Sequence, residues 1–209
     1  MRSLLKLLFG SSPPILKEED IMKKYLIVGL GNIGLEYENT RHNIGFQVLN
    51  RLADKNELSF SSNKLGATAT FKIKGRSLLL LKPATFMNRS GKAVHYWMEK
   101  EKIPKEHLLI ITDDINLPFG TLRLKTKGSD GGHNGLADIQ NTLQTNQYNR
   151  LRFGLGSDFS KGRQVEYVLG NWNEEESSAL PERLDRCTAL VSSFVLQGVN
   201  ITMNEFNNT

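Results

Sequence analysis

Residues 24–46 read KYLIVGLGNIGLEYENTRHNIGF. Tyr25–Leu30 is an unbroken apolar run bounded by glycine, the pattern of a central strand with both sheet faces covered. From Ile44 the apolar residues Ile44, Val48, Leu49, Leu52 and Ala53 follow helical spacing, which predicts a helix to about Lys55 packed back onto that strand. A buried strand followed by such a helix is an α/β signature. The stretch also holds G-x-G-x-x-G at Gly29, Gly31 and Gly34, which suggests a dinucleotide cofactor. That reading needs a helix opening at the third glycine, so that its N-terminus meets the pyrophosphate. Here Leu35-Glu36-Tyr37-Glu38-Asn39 intervenes, a polar loop with two acids, and the helix begins about ten residues late. Asp54 falls inside the helix instead of ending a second strand. The glycines are therefore expected to serve a tight turn and close backbone approach.

The remaining pattern extends the same architecture. Gly66–Lys74 alternates, Lys74-Gly75-Arg76 reads as a turn, and Leu78–Leu81 follows, so a hairpin adds antiparallel pairing to the sheet. After Pro83 and the loop Thr85–Asn88, Ser90 is the expected N-cap of a helix through Lys102 with Val94, Trp97 and Met98 inward. Leu108–Thr112 is a second all-apolar strand and runs into Asp113-Asp114. Thr121–Lys125 alternates with basic residues outward. His133-Asn134-Gly135 leads into a helix to about Leu143, and Arg150–Gly156 reads as a strand. Glu174-Glu175-Glu176 suits the first turn of a long C-terminal helix, in which Pro181 is tolerable only near that turn or at a kink. The order β-α-β-β-α-β-β-α-β-α describes one three-layer α/β domain over 23–209, a mixed, twisted sheet flanked by helices. Residues 1–22, with Pro13-Pro14 and the charges at Lys17–Asp20, read as a dispensable, disordered leader.

At 209 residues one well-buried domain is expected. No apolar stretch is long enough to span a membrane. The single cysteine, Cys187, excludes an internal disulfide and fits a reducing compartment, here the cytoplasm. The net charge is +5, and its distribution is uneven: residues 121–163 carry seven basic against three acidic groups, residues 164–209 two against seven. A basic middle and an acidic tail suit a polyanion meeting one face.

Chemistry-bearing residues gather at predicted strand ends. His42 stands at a helix mouth, within Thr-Arg-His-Asn, beyond the C-terminal end of a strand, where open α/β sheets place their ligands. The bland alternative is a capping or surface histidine. Asp113 ends another apolar strand, and adjacency of the two strands puts both side chains on one rim. An aspartate accepting the Nδ1 proton leaves Nε2 as a general base. No serine elbow or cysteine neighbour offers a nucleophile, so water is the natural substrate of that base. Asn32, Asn43, Asn88 and Asn134 also lie beside strand ends; Asn88 and Asn134 could simply cap helices. Neutral amides can hold an ester, a ribose or an oxyanion without titrating. His95 and His107 read as structural, and four histidines without ligand spacing argue against a metal.

The blocks VGLGNIG-x-EY-x-x-TRHNIGF, KP-x-TFMN-x-SG, DD-x-x-LP-x-G, GGHNGL-x-DI and R-x-RFG-x-G occur in this order. Together, over about residues 23–200, the chain resembles the bacterial-type peptidyl-tRNA hydrolase family. The resemblance implies a monomeric enzyme that cleaves the ester between a peptide and the 3′ end of tRNA without cofactor or metal. It implies His42 as general base, Asp113 as its partner, and Asn32 positioning ester and water. It also implies Phe86, Met87 and Asn88 on the peptide, His133 and Asn134 at the tRNA end, Tyr37 lining the cleft, and Lys125 and Arg152 on tRNA phosphates. The basic segment Arg123–Lys127, with Arg150 and Arg152, is expected to grip the acceptor stem. Ile33 replaces the proline that many relatives carry after the asparagine, and Asp114 and Asn116 stand where relatives often have Glu and Asp. A binding protein that uses the same scaffold without catalysis, as some relatives do in intron splicing, is the rival, and His42, Asp113 and Asn32 argue against it.

Overall fold

The computed structural model describes residues 23–207, so the expected leader lies outside the described residues. Tyr25–Leu30 forms the inner strand its apolar run predicts. Strand β1 (Lys24–Gly29) sits between β4 (Arg76–Pro83) and β5 (Leu108–Asp114), parallel to both. Strand β7 (Asn149–Gly154) continues the parallel set beside β5. The hairpin of β3 (Gly66–Ile73) and β4 extends one side, and β6 (Leu122–Lys125) pairs antiparallel with β7 on the other. With the short β2 (Ser61–Asn63) at the edge, the order is β2-β3-β4-β1-β5-β7-β6. The sheet is mixed, as expected, and the hairpin turns through Lys74 (φ 43°) and Gly75 (φ 81°).

Helices cover both faces. On one, α1 (Ile44–Asp54) and α5 (Glu174–Gln197) pack Val48, Leu49, Leu52, Leu190 and Phe194 over Ile27, Leu80, Ile111 and Phe153. On the other, α2 (Ser90–Glu101) and α3 (Asn134–Leu143) pack Val94, Trp97, Leu136 and Ile139 over Leu26, Val28, Leu108 and Ile110. Helix α1 comes unusually close to the sheet: a Cβ on Gly29 would stand 2.1 Å from the carbonyl oxygen of Gly45. Gly34, at φ 119°, turns the chain into a 3-10 turn, Leu35–Tyr37, and not into a helix. The glycine motif therefore builds packing and a loop, not a phosphate cradle.

Several local expectations are corrected. Ser90 is the first residue of α2, not its cap; its hydroxyl donates to the Met87 carbonyl at 2.8 Å, and the next free amide, Gly91 N–H, is taken by Asp138 Oδ2 at 2.7 Å. Asn134 is likewise the first residue of α3, and His133 is the cap. Pro181 lies inside α5, beyond its first turn; the helix start is secured by a capping box between Asn173 and Glu176. Two helices were not expected: α4 (Gln164–Val168) and α6 (Val199–Phe206), the latter after Gly198. His107 is structural, its Nδ1 2.9 Å from the Lys24 carbonyl and its ring stacked on Tyr25. Among the described residues no helix is long and apolar enough to cross a membrane.

Candidate active site

Asp113 is the penultimate residue of β5 and is 6% exposed. Because β1 and β5 are neighbours, the loop after β1 returns beside it, and the 3-10 turn Arg41–Asn43 brings His42 onto the carboxylate. His42 Nδ1 lies 3.0 and 2.9 Å from the two carboxylate oxygens. The second imidazole on this carboxylate is His133, whose Nε2 is 3.0 Å from Oδ1. Its tautomer follows from the helix it caps. Nδ1 accepts the Gly135 and Leu136 amides at 3.1 and 3.2 Å, so the proton sits on Nε2 and points to Asp113, with Thr112 Oγ1 2.8 Å away.

Electrostatics fix the other tautomer. Burial would raise the Asp113 carboxyl, but the charges of His42 and His133 and their hydrogen bonds hold it far below the usual carboxylate range. Asp113 is thus an acceptor only, and His42 Nδ1 must donate. Nε2 is left as the basic nitrogen on the cleft side. Burial pushes His42 down, yet the Asp113 charge and hydrogen bond outweigh it, leaving His42 above its ordinary 6.5.

Asn32 is oriented as tightly. Asn43, 1% exposed, clamps its backbone: Asn32 N–H donates to Asn43 Oδ1 at 2.8 Å, and Asn43 Nδ2 donates to the Asn32 carbonyl at 2.9 Å. The Asn32 side-chain oxygen accepts Met87 N–H at 2.9 Å. Its amide NH2 is therefore the free end, and Asn32 lines the same cleft as His42 and Asp113. The cleft continues past Phe86, Met87 and Asn88 after β4, past His133 and Asn134 at the mouth of α3, and past Arg152 of β7.

A profile of the family described as Peptidyl-tRNA hydrolase matches residues 26–209. The chain belongs to the peptidyl-tRNA hydrolase family. The Bacteroides fragilis peptidyl-tRNA hydrolase is 59% identical over 184 residues, covering 88% of this chain and 98% of its own. That of Porphyromonas gingivalis is 54% identical over 184 residues, covering 88% and 100%. The crystal structure of the Acinetobacter baumannii peptidyl-tRNA hydrolase superposes with a TM-score of 0.83 at 38% identity, covering 88% of this chain and 95% of that one. The mixed sheet, seven-stranded among the described residues and with helices on both faces, is thus the peptidyl-tRNA hydrolase fold.

Within that fold the expected residues separate. Asn32, His42, Phe86, Met87, Asn88, Asp113, His133, Asn134 and Arg152 all line one cleft. Tyr37 and Lys125 are not among its lining residues: Tyr37 sits in the Leu35–Tyr37 turn, where its carbonyl takes the Thr40 hydroxyl, and Lys125 is exposed on β6. Arg150 is not available to grip a stem. It is 1% exposed and donates to the carbonyls of Ser129 and Asn146 at 3.0 and 2.9 Å, holding the glycine-rich loop before α3. Arg152 is paired with Asp114. His42, Asp113 and His133 are the one group among the described residues whose donor atoms lie close enough to share a metal, and here both imidazoles are hydrogen-bonded to the Asp113 carboxylate.

Two contributors had no place among the expected residues, the wall helix and Arg41, and a third, Asn43, was expected as a strand-end amide but serves another role. Helix α4 and its exit supply Gln164, Val165, Val168 and Leu169 to the cleft wall. Asn43 clamps Asn32. Arg41, beside His42, is buried: it pairs with Glu176 (Nη2 to Oε2, 2.7 Å), donates to the Tyr167 carbonyl at 3.3 Å and lies over the Tyr167 ring. One guanidinium thus ties the turn carrying His42 to the wall helix and to the start of α5. The block TRHN held the signal for both Arg41 and Asn43; their partners are too remote in sequence to have been paired by it.

Proposed function

We propose that His42 is the general base, and Asp113 its orienting partner, in the hydrolysis of peptidyl-tRNA, the reaction of the family to which this chain belongs. His42 Nε2 takes a proton from a water beside the ester carbonyl. The Asn32 NH2, aimed into the cleft because its oxygen is tied to Met87 N–H, positions the ester and meets the developing oxyanion. The tRNA 3′-hydroxyl leaves with a proton returned by the imidazolium. His133 shares the Asp113 carboxylate and holds its position, Asn134 and Asn88 present amides to the tRNA end and the peptide backbone, and Phe86 and Met87 offer the peptide an apolar wall. Lys125 and Arg152 meet tRNA phosphates, and Tyr37 contacts substrate only at the margin. A base so placed contributes about 10²–10⁴-fold, so positioning and oxyanion donors supply the rest.

The observation that carries this reading is the Asp113–His42 pair, which leaves one basic nitrogen on a cleft already furnished with amide donors. No step of this proposal uses a metal or cofactor, and the proposal takes residues 23–209 as a single monomeric domain acting on tRNA in the cytoplasm. The test is incubation with N-acetyl-aminoacyl-tRNA and with the free-amino form. Rapid release from the acetylated substrate, lost in His42→Ala and insensitive to EDTA, is the expected result. Tight tRNA binding without release would sink the proposal in favour of a binding scaffold.

A further inference from the structure

We propose that a second groove, joined to the active-site cleft at Asn32, is the subsite for the second and third residues of the peptidyl chain, counted from the ester. This rests on the hydrolase reading and follows from the order of the strands. At the edge where the parallel strands end, the sheet presents one row: Gly66 opening β3 opposite Pro83 of β4, then Asn32 after β1, Asp113 of β5, Arg152 of β7 and Arg123 near the start of the antiparallel β6. The basic residues Arg152 and Arg123, paired across β7 and β6, lie at one end, and His42, Asp113 and Asn32 lie in the middle. A substrate with its tRNA over β7–β6 and its ester at Asn32 and His42 must send its acyl chain the other way, over β4 and β3.

A groove stands there. Its lining includes Ile33, Leu35, Phe46, Lys82, Pro83 and Ala84, and it shares Asn32 with the active-site cleft. Asn32, which lines both, has its Oδ1 tied to the N–H of Met87 in the active-site cleft. Two of the groove's walls are large apolar side chains left in water, Leu35 at 89% and Ile33 at 43% exposure. Opposite them the Lys82 ammonium is held by Asn50 Oδ1 at 2.7 Å and lies 3.9 Å over the Phe60 ring, a fixed donor for a peptide carbonyl. Neighbouring strands are spaced by about 4.8 Å, and an extended peptide advances about 3.4 Å per residue. The step from β1 to β4 and β3 therefore spans about one to three residues. The esterified residue stays at Asn32; those behind it reach the groove. Apolar walls beside a few polar groups, Lys82 and Glu38 among them, accept varied side chains while rewarding length, which suits an enzyme whose substrates share only a tRNA and a peptide bond.

The experiment compares steady-state hydrolysis of N-acetyl-Phe-tRNA, N-acetyl-Phe-Phe-tRNA and N-acetyl-Phe-Phe-Phe-tRNA by the full chain and two variants. Ala84→Trp fills the groove from an exposed position, and Leu35→Ser removes a wall that touches no core, so folding survives in at least the second. In the wild type, kcat/KM should rise about tenfold from one residue to three, mostly through KM. Both variants should flatten that rise. Release without length dependence, or equal fractional loss on all three substrates in both variants, overturns the subsite alone. Absence of release from every substrate by the folded wild type overturns the hydrolase reading and the subsite with it.

Discussion

At the floor of the cleft Asp113 is 6% exposed and receives two imidazoles, whereas at the rim Phe86 is 56% exposed and Asn88 and Asn134 stand in solvent. The floor is over-determined. His133 is fixed by the helix it caps, Asp113 by both histidines, Asn32 by Asn43 and Met87, and Arg41 by Glu176 and Tyr167. Such an arrangement needs no reorganisation when charge develops, which is where electrostatic catalysis gains most. The rim has little of this holding and can adapt to different peptides. Floor substitutions should therefore act on kcat, on the pH profile and on folding, and rim or edge substitutions on KM.

The strongest way to break that contrast is Asp113→Asn. It keeps size but removes the charge that fixes the His42 tautomer, and kcat should fall by about 10²–10⁴-fold with little change in KM. The pH profile gives a second readout. In the native site the Asp113 charge outweighs burial and raises His42 above 6.5, so the acid limb of kcat/KM lies above that value, with activity lost as pH falls through it. In the Asp113→Asn variant burial is unopposed, and the limb should move to lower pH. A limb that stays in place while the rate drops would mean that Asp113 acts on something other than His42.

Next in size is the Arg41–Glu176 pair. Both side chains are about nine-tenths buried, so Arg41→Met leaves a carboxylate facing the interior with only the Asn173 amide and its own helix start for company. Truncating one member of such a pair costs about 3–5 kcal/mol. Urea unfolding should show that loss, and kcat should fall severalfold because the turn carrying His42 loses its tie to α4. Arg41→Met with Glu176→Gln removes the stranded charge and should recover part of the stability. If it recovers none, packing against Tyr167 and Trp172 outweighs the ion pair.

Much of this was legible in the sequence. Apolar runs and alternation gave the inner strands, and the rule that ligands gather at strand ends was enough to bring Asn32, His42 and Asp113 together. What escaped had no local signal. Strand β2 is exposed at all three positions, and α4 is five residues long with none buried, so neither carries an apolar period. A histidine is not an ordinary N-cap, so His133 passed as a neighbour of Asn134 when its cap is what sets its tautomer. Pro181 was expected near the first turn or at a kink, and it lies beyond that turn inside the long helix α5. Arg41 and Glu176 are 135 residues apart, and only the fold reveals the pair. Arg150 shows the opposite error: alternation placed it correctly on a basic face, but composition could not tell that this part of the face is covered.

The smallest effects should come from the tRNA edge, where two basic residues of similar charge differ in surroundings. Lys125 is exposed, whereas Arg152 is paired with the buried Asp114. Lys125→Ala removes a solvated cation and should raise KM a fewfold while lowering the slope of log KM against log salt by about one. Arg152→Ala does more than delete a phosphate contact, because it leaves the Asp114 carboxylate unopposed beside the polyanion. Its KM penalty should exceed that of Lys125→Ala, and Asp114→Asn in the same chain should return part of it. Measuring KM for N-acetyl-aminoacyl-tRNA across a salt series separates the two. An unchanged slope in Lys125→Ala would move the tRNA off this edge; equal penalties for the two single variants would show that Asp114 already finds a second partner when substrate is bound.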